Sequence, residues 1–144
     1  MANGVGAKEV YSQMGVLTAD PLRLILTLYD GVIEALVSYK ALHERGDHRG
    51  KSRSLQKAIA ILAELHAALD MEAGEVARNL GRLYAYMMGQ LLDADFRRDI
   101  SVVGQVMGML RELREGWDGI KAKGRATKGY PAGVEPRSTS GMRA

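Results

Sequence analysis

The sequence predicts an all-α protein: an antiparallel up-down-up-down four-helix bundle, with an N-terminal segment packed on it and a disordered C-terminal tail. Three observations carry this reading. Proline occurs only at positions 21, 131 and 136, so none interrupts residues 22–130. Within that span apolar residues recur at intervals of three and four, the helical period, in four blocks of similar length. The strict apolar–polar alternation of a half-buried strand is missing. Helices of equal length joined by short links favour antiparallel neighbours.

The first helix is expected over about 20–43. Asp20 can cap the free amides of its first turn, and Pro21 suits the first helical position because its missing N–H costs nothing there. Its stripe is Ile25, Leu28, Tyr29, Val32, Leu36 and Tyr39. The polar run HERGDHRGKS at 43–52 predicts a break. A second helix then follows over about 52–72, carrying Leu55, Ala58, Ile59, Leu62, Leu65, His66 and Leu69. DMEAGE at 70–75 opens a third over about 75–96, with Val76, Leu80, Leu83, Tyr84, Met87, Leu91 and Ala94. At DADFRRD (93–99) the period resets, and Asp99 or Ser101 can cap a fourth helix over about 100–122, striped by Val103, Val106, Leu110, Leu113, Trp117 and Ile120. Residues 1–17 are thus the N-terminal segment and 18–123 the bundle. Residues 124–144 form a basic tail of Gly, Pro and Ser that is expected to be disordered.

The chain has no cysteine, which excludes a disulfide framework, a thiolate nucleophile and cysteine-ligated metal. MANGVGAKEVYSQMG lacks the apolar run of a secretory signal, and no stretch approaches the roughly 18 apolar residues that span a bilayer. A cytoplasmic protein without membrane insertion is expected. The formal charge of +3 is unevenly placed. From Lys121 onward six basic residues face one acid, Glu135, whereas residues 1–120 carry 14 basic and 16 acidic side chains. The bundle itself offers no basic face for nucleic acid.

Catalytic and metal chemistry find no candidates. A carboxylate-bridged metal pair in a bundle needs Glu-x-x-His, but the residues three before His43, His48 and His66 are Lys40, Arg45 and Ala63. His43 and His48 are expected in solvent beside a loop, and His66 at the core edge. The phosphate-cradling patterns GxxxxGK[ST] and GxGxxG are both missing. Gly104 and Gly108 have a spacing that lets a neighbouring backbone or an outside chain come close. No metal, no cofactor and no enzymatic activity are expected.

The helices carry more apolar surface than a stripe a little over 100° wide requires. On the first, Leu24, Ala35 and Leu42 lie to one side of the core line and Leu26, Ile33 and Val37 well round on the other, an arc of about 220° at about 100° per residue. Met88 and Leu92 lie off the core line of the third helix, and Tyr86 points away from core-facing Tyr84. Met107 and Met109 flank the line of the fourth. Eight methionines suit a surface that adapts to a partner chain. Contiguous exposed apolar surface usually marks an interaction site.

Three blocks of the sequence resemble the FliS family of flagellin-specific export chaperones. The first is Tyr11, then Val16-x-Thr18-Ala19-x-Pro21, then Leu28-Tyr29-Asp30-Gly31. The second is Gly74-Glu75-x-Ala77-x-Asn79-Leu80-x-x-Leu83-Tyr84-x-Tyr86-Met87, and the third Leu113-Arg114-x-x-Trp117. The resemblance implies a cytoplasmic bundle that binds the disordered carboxy-terminal segment of flagellin, prevents its premature polymerisation and helps deliver it to the type III export apparatus. It further implies an N-terminal segment that covers part of the binding surface and moves. Tyr11, Val16 and Thr18 match that segment, with Met14 between them. The candidate partner-binding set is Tyr11, Met14, Val16, Thr18, Leu26, Tyr86, Met88, Leu92, Met107 and Met109. An export-gate component is a further expected partner, and the free protein is a candidate homodimer. The rival reading is a structural or adaptor bundle acting through self-dimerisation. Two departures touch only caps: Asp20-Pro21-Leu22-Arg23 lacks the family's reciprocal glutamate, and Ala94-Asp95 stands where Ala-Asn is frequent.

Overall fold

The computed structural model describes residues 7–11 and 20–128, with side chains described at 7, 9–11 and 20–120. One helical turn, α1 (Ala7–Val10), precedes four long helices: α2 (Pro21–Arg45), α3 (His48–Ala67), α4 (Glu75–Arg97) and α5 (Ile100–Lys128). A 3₁₀ turn over Met71–Ala73 links α3 to α4, and the described residues contain no strand.

Local capping explains most of the boundaries. Asp20 accepts the Arg23 amide at 3.1 Å, as its position before Pro21 predicts. α2 ends with Gly46 in the left-handed region at φ 72°, where the amide of Asp47 donates to the carbonyl of Leu42 at 2.9 Å. Asp47 then caps the next helix at once, accepting the Gly50 amide at 2.9 Å. The second long helix therefore starts at His48 and not near 52, because charged residues fit the solvent side of a first turn as well as a loop. It also ends at Ala67, short of 72, although Leu69 stays buried in the connection that follows. Asp99 caps α5 through its contacts with the amide and hydroxyl of Ser101, and those bonds hold its carboxyl below the usual carboxylate value. α5 runs on through Gly124 to Lys128, so the tail boundary expected at 124 falls inside a helix. Residues 129–144 of that tail lie outside the described residues.

Cross-helix contacts fix the topology. Ile61 of α3 approaches Gly31 of α2, 3.1 Å from where a Cβ would stand, while Lys51 near the start of α3 meets His43 near the end of α2. On the other side Gly104 of α5 lies beside Lys40, and Arg114 farther along α5 pairs with Asp30. Tyr29 meets Tyr84, and Tyr39 meets Asp95, so α2 and α4 run parallel across the diagonal. Each consecutive pair is therefore antiparallel, and the bundle is up-down-up-down.

This arrangement absorbs much of the apolar excess on α2. Ile25, Leu26, Tyr29, Val32, Ala35, Leu36 and Tyr39 are all buried, an arc of about 180° on a helical wheel. α2 packs against α3, α5 and α1, and the stripes those neighbours cover add together. Leu24, Ile33 and Leu42 are half-buried, which leaves Val37 as the exposed large hydrophobe of α2.

Candidate functional site

The three resembling blocks meet at one end of the bundle. Tyr11, Tyr29 and Tyr84 are fully buried, and their hydroxyls form a run: Tyr11 to Tyr84 at 2.5 Å and Tyr84 to Tyr29 at 2.6 Å. The indole N–H of Trp117 donates to the Tyr29 oxygen at 3.2 Å. The rings support the same grouping, with Tyr11 and Trp117 centroids 5.9 Å apart and Tyr29 edge-on to Tyr84 at 6.3 Å. Burial, reinforced by the neighbouring tyrosines, pushes all three hydroxyls well above the ordinary tyrosine value. They stay neutral, and each exchanges water for a hydroxyl partner. Beside them Arg114 donates two hydrogen bonds to the carboxylate of Asp30, at 2.5 and 3.2 Å, and joins α5 to α2.

The cluster fastens the N-terminal segment. Tyr11 belongs to no long helix, yet its ring fills the space among three of them. A second tie is backbone: the Asp70 amide donates to the Val10 carbonyl at 2.7 Å. Tyr11 therefore occupies the interior and is not surface in this structure. Met14, Val16 and Thr18 lie outside the described residues.

The opposite end is built from charge. Tyr39 donates to Asp95 Oδ1 at 2.6 Å, and Lys51 Nζ lies 3.2 Å from His43 Nδ1 and 5.5 Å from the centre of the Tyr39 ring. His43 is thus half-buried and engaged, where the sequence suggested solvent; His48 is exposed as expected. His66 is half-buried. His48, Lys51, Ser52, Asp95 and Arg98 line a shallow cavity of about 250 Å³.

The outer faces decide the fate of the flank residues. Leu26 (6% exposed) and Met107 (4%) are core residues and present no surface. Met107 turns toward α2, the same side of α5 as Arg114, and is enclosed there. Met88 and Met109 are half-buried against the core, while Tyr86 and Leu92 are 54% and 55% exposed. Tyr86 sits about 120° round α4 from Leu92, so the two belong to different faces. Phe96, at 88% exposed, continues the Met88 and Leu92 line by one further turn. The sequence reading placed it in a break, although its spacing of four from Leu92 was the available signal. Around Gly108 the space a side chain would take is open, so no neighbouring backbone among the described residues comes close there.

Among the described residues no helix is long and apolar enough to cross a membrane, and no group of three or more acidic, histidine or cysteine side chains is placed to hold a metal. The family model described as flagellar protein FliS matches residues 1–124. A flagellar secretion chaperone FliS of Salmonella typhimurium is 40% identical over 125 residues, covering 85% of this chain and 93% of its own. The FliSB chaperone of Pseudomonas aeruginosa is 40% identical over 114 residues, covering 78% and 90%. The Bacillus subtilis FliS is 31% identical over 107 residues, covering 74% and 80%. With motif blocks that converge on one aromatic cluster and relatives matched over most of their length, the chain belongs to the FliS family, a family of flagellar secretion chaperones and not of enzymes.

Proposed function

We propose that this protein binds the disordered carboxy-terminal segment of flagellin in the cytosol, keeps it from polymerising early and assists its delivery to the flagellar type III export apparatus, whose gate is a further partner. The observation that carries the reading is the apolar strip on α4, exposed Leu92 and Phe96 with half-buried Met88 beside them, in a chain of a secretion-chaperone family. A disordered client loses conformational entropy on binding, and long apolar contact with an amphipathic segment offsets it. Tyr86 and Met109 offer a second patch on the α4–α5 side. The amino-terminal segment, held by Tyr11, covers the end of the bundle and moves aside when the client docks.

Size-exclusion chromatography of the full chain with a peptide of the flagellin carboxy-terminal segment tests this. A one-to-one complex is expected, and Leu92→Glu with Phe96→Glu should weaken it at least tenfold, about 1.4 kcal/mol, with helicity unchanged. A tight homodimer indifferent to the peptide would instead favour a structural or adaptor bundle.

A further inference from the structure

The charged end of the bundle contains an imbalance that the fold does not explain. Lys51 is buried to 7% exposure, and neither it nor Arg98 has an acidic partner within ion-pair distance among the described residues. A buried ammonium without a counter-charge is costly, and proteins usually avoid one. Both cations line the same cavity with Ser52 and His48. Asp95 is the one carboxylate on the wall, and its Oδ1 is already occupied by the Tyr39 hydroxyl. The formal charge of the lining is therefore positive. Arg98 is also the one described non-glycine residue with positive φ, at 59°, a conformation that strains a residue with a Cβ. At the matching position of α2 the chain uses Gly46.

The apolar strip ends at the same end of α4 as this cavity. Met88, Leu92 and Phe96 climb one face of α4 over about 12 Å, and in the sequence Phe96 lies between Asp95 and Arg98, two residues of the cavity wall, without itself lining it. That length takes about four residues of extended chain or two helical turns. An apolar track that ends in uncompensated positive charge fits an apolar peptide that ends in negative charge. We propose that the cavity receives the free α-carboxylate of the client polypeptide, held between Lys51 and Arg98, while its last apolar residues lie on Leu92 and Phe96. The inference rests on the reading of the client as a carboxy-terminal segment, and it adds that the terminus itself is recognised.

Isothermal titration of the full chain with the flagellin carboxy-terminal peptide, once as the free acid and once as the C-terminal amide, separates the two claims. The acid should bind roughly tenfold tighter than the amide, the scale of one hydrogen-bonded charge pair. Arg98→Gly, which the left-handed backbone accepts without strain, should keep the melting temperature and shrink the acid's advantage to threefold or less. Arg53→Ala, an exposed cation off the cavity wall, should leave the advantage intact. Equal binding of acid and amide, or an acid preference that survives Arg98→Gly, overturns the carboxylate site while flagellin binding stands. Failure of both peptides to bind overturns the flagellin reading as well.

Discussion

The two ends of the bundle solve the problem of buried polarity in opposite ways. At one, three hydroxyls and an indole satisfy one another inside a closed aromatic cluster, with no net charge to accommodate. At the other, a lysine and an arginine face a cavity with one carboxylate, Asp95, on its wall, and the lysine has a histidine nitrogen and the face of a tyrosine beside it. Neutral, mutually satisfied groups rigidify a core, whereas an uncompensated charge stabilises little by itself and gains most when a counter-charge arrives. The closed end reads as anchorage and the open end as reception.

The largest way to break this contrast is Trp117→Ala. Removing the indole should cost about 3–5 kcal/mol, because it empties the centre of the cluster and strands the Tyr29 and Tyr11 rings; urea unfolding measures the loss. Tyr84→Phe is gentler and more pointed. Its hydroxyl joins Tyr11 to Tyr29, so its loss should cost about 1–3 kcal/mol and raise amide exchange at residues 7–11.

The same cluster predicts a pH dependence. The folded state holds the tyrosine protons above the ordinary value of 10.0, where the unfolded chain has begun to release them. Their contribution is complete below that value and is lost as pH rises beyond it, so stability should fall above about pH 10, less steeply in Tyr84→Phe. The smallest effect belongs to the open end. Lys51→Met keeps the buried stem and removes the unpaired charge, and should change stability by less than about 1 kcal/mol in either direction. A loss comparable to that of Tyr84→Phe would erase the distinction between the ends.

Sequence periodicity located all four helices because Ile25 to Tyr39, Leu55 to Leu65, Leu80 to Ala94 and Val103 to Trp117 each repeat at helical spacing and form the core, with Leu28, Ile59, Leu83 and Leu113 half-buried at its edge, while Val76 and Ile120, at the outer ends of their stripes, are exposed. It failed where tertiary neighbours decide. Leu26 and Met107 looked like flanks because one stripe was allotted to each helix, whereas a helix with two neighbours buries a wider arc. Phe96 went unread because the charges around it resembled a loop. The tyrosine cluster joins residues 55 to 88 positions apart in the Tyr29–Tyr84, Tyr11–Tyr84 and Tyr29–Trp117 contacts, and no local pattern announces such a meeting. Lys51 was legible only as part of a polar run, since its burial depends on the Gly46–Asp47 connection being two residues long.

Tyr11 and Trp117 touch across nearly the whole described chain. The recess that takes the Tyr11 ring is made partly by a residue synthesised more than a hundred positions later, so during translation the site that holds the beginning of the polypeptide stays incomplete until its last helix has emerged. Full fastening of the amino-terminal segment is thereby a signal of completeness: a chain interrupted before residue 117 leaves that segment held only by its ties to Asp70 and Tyr84.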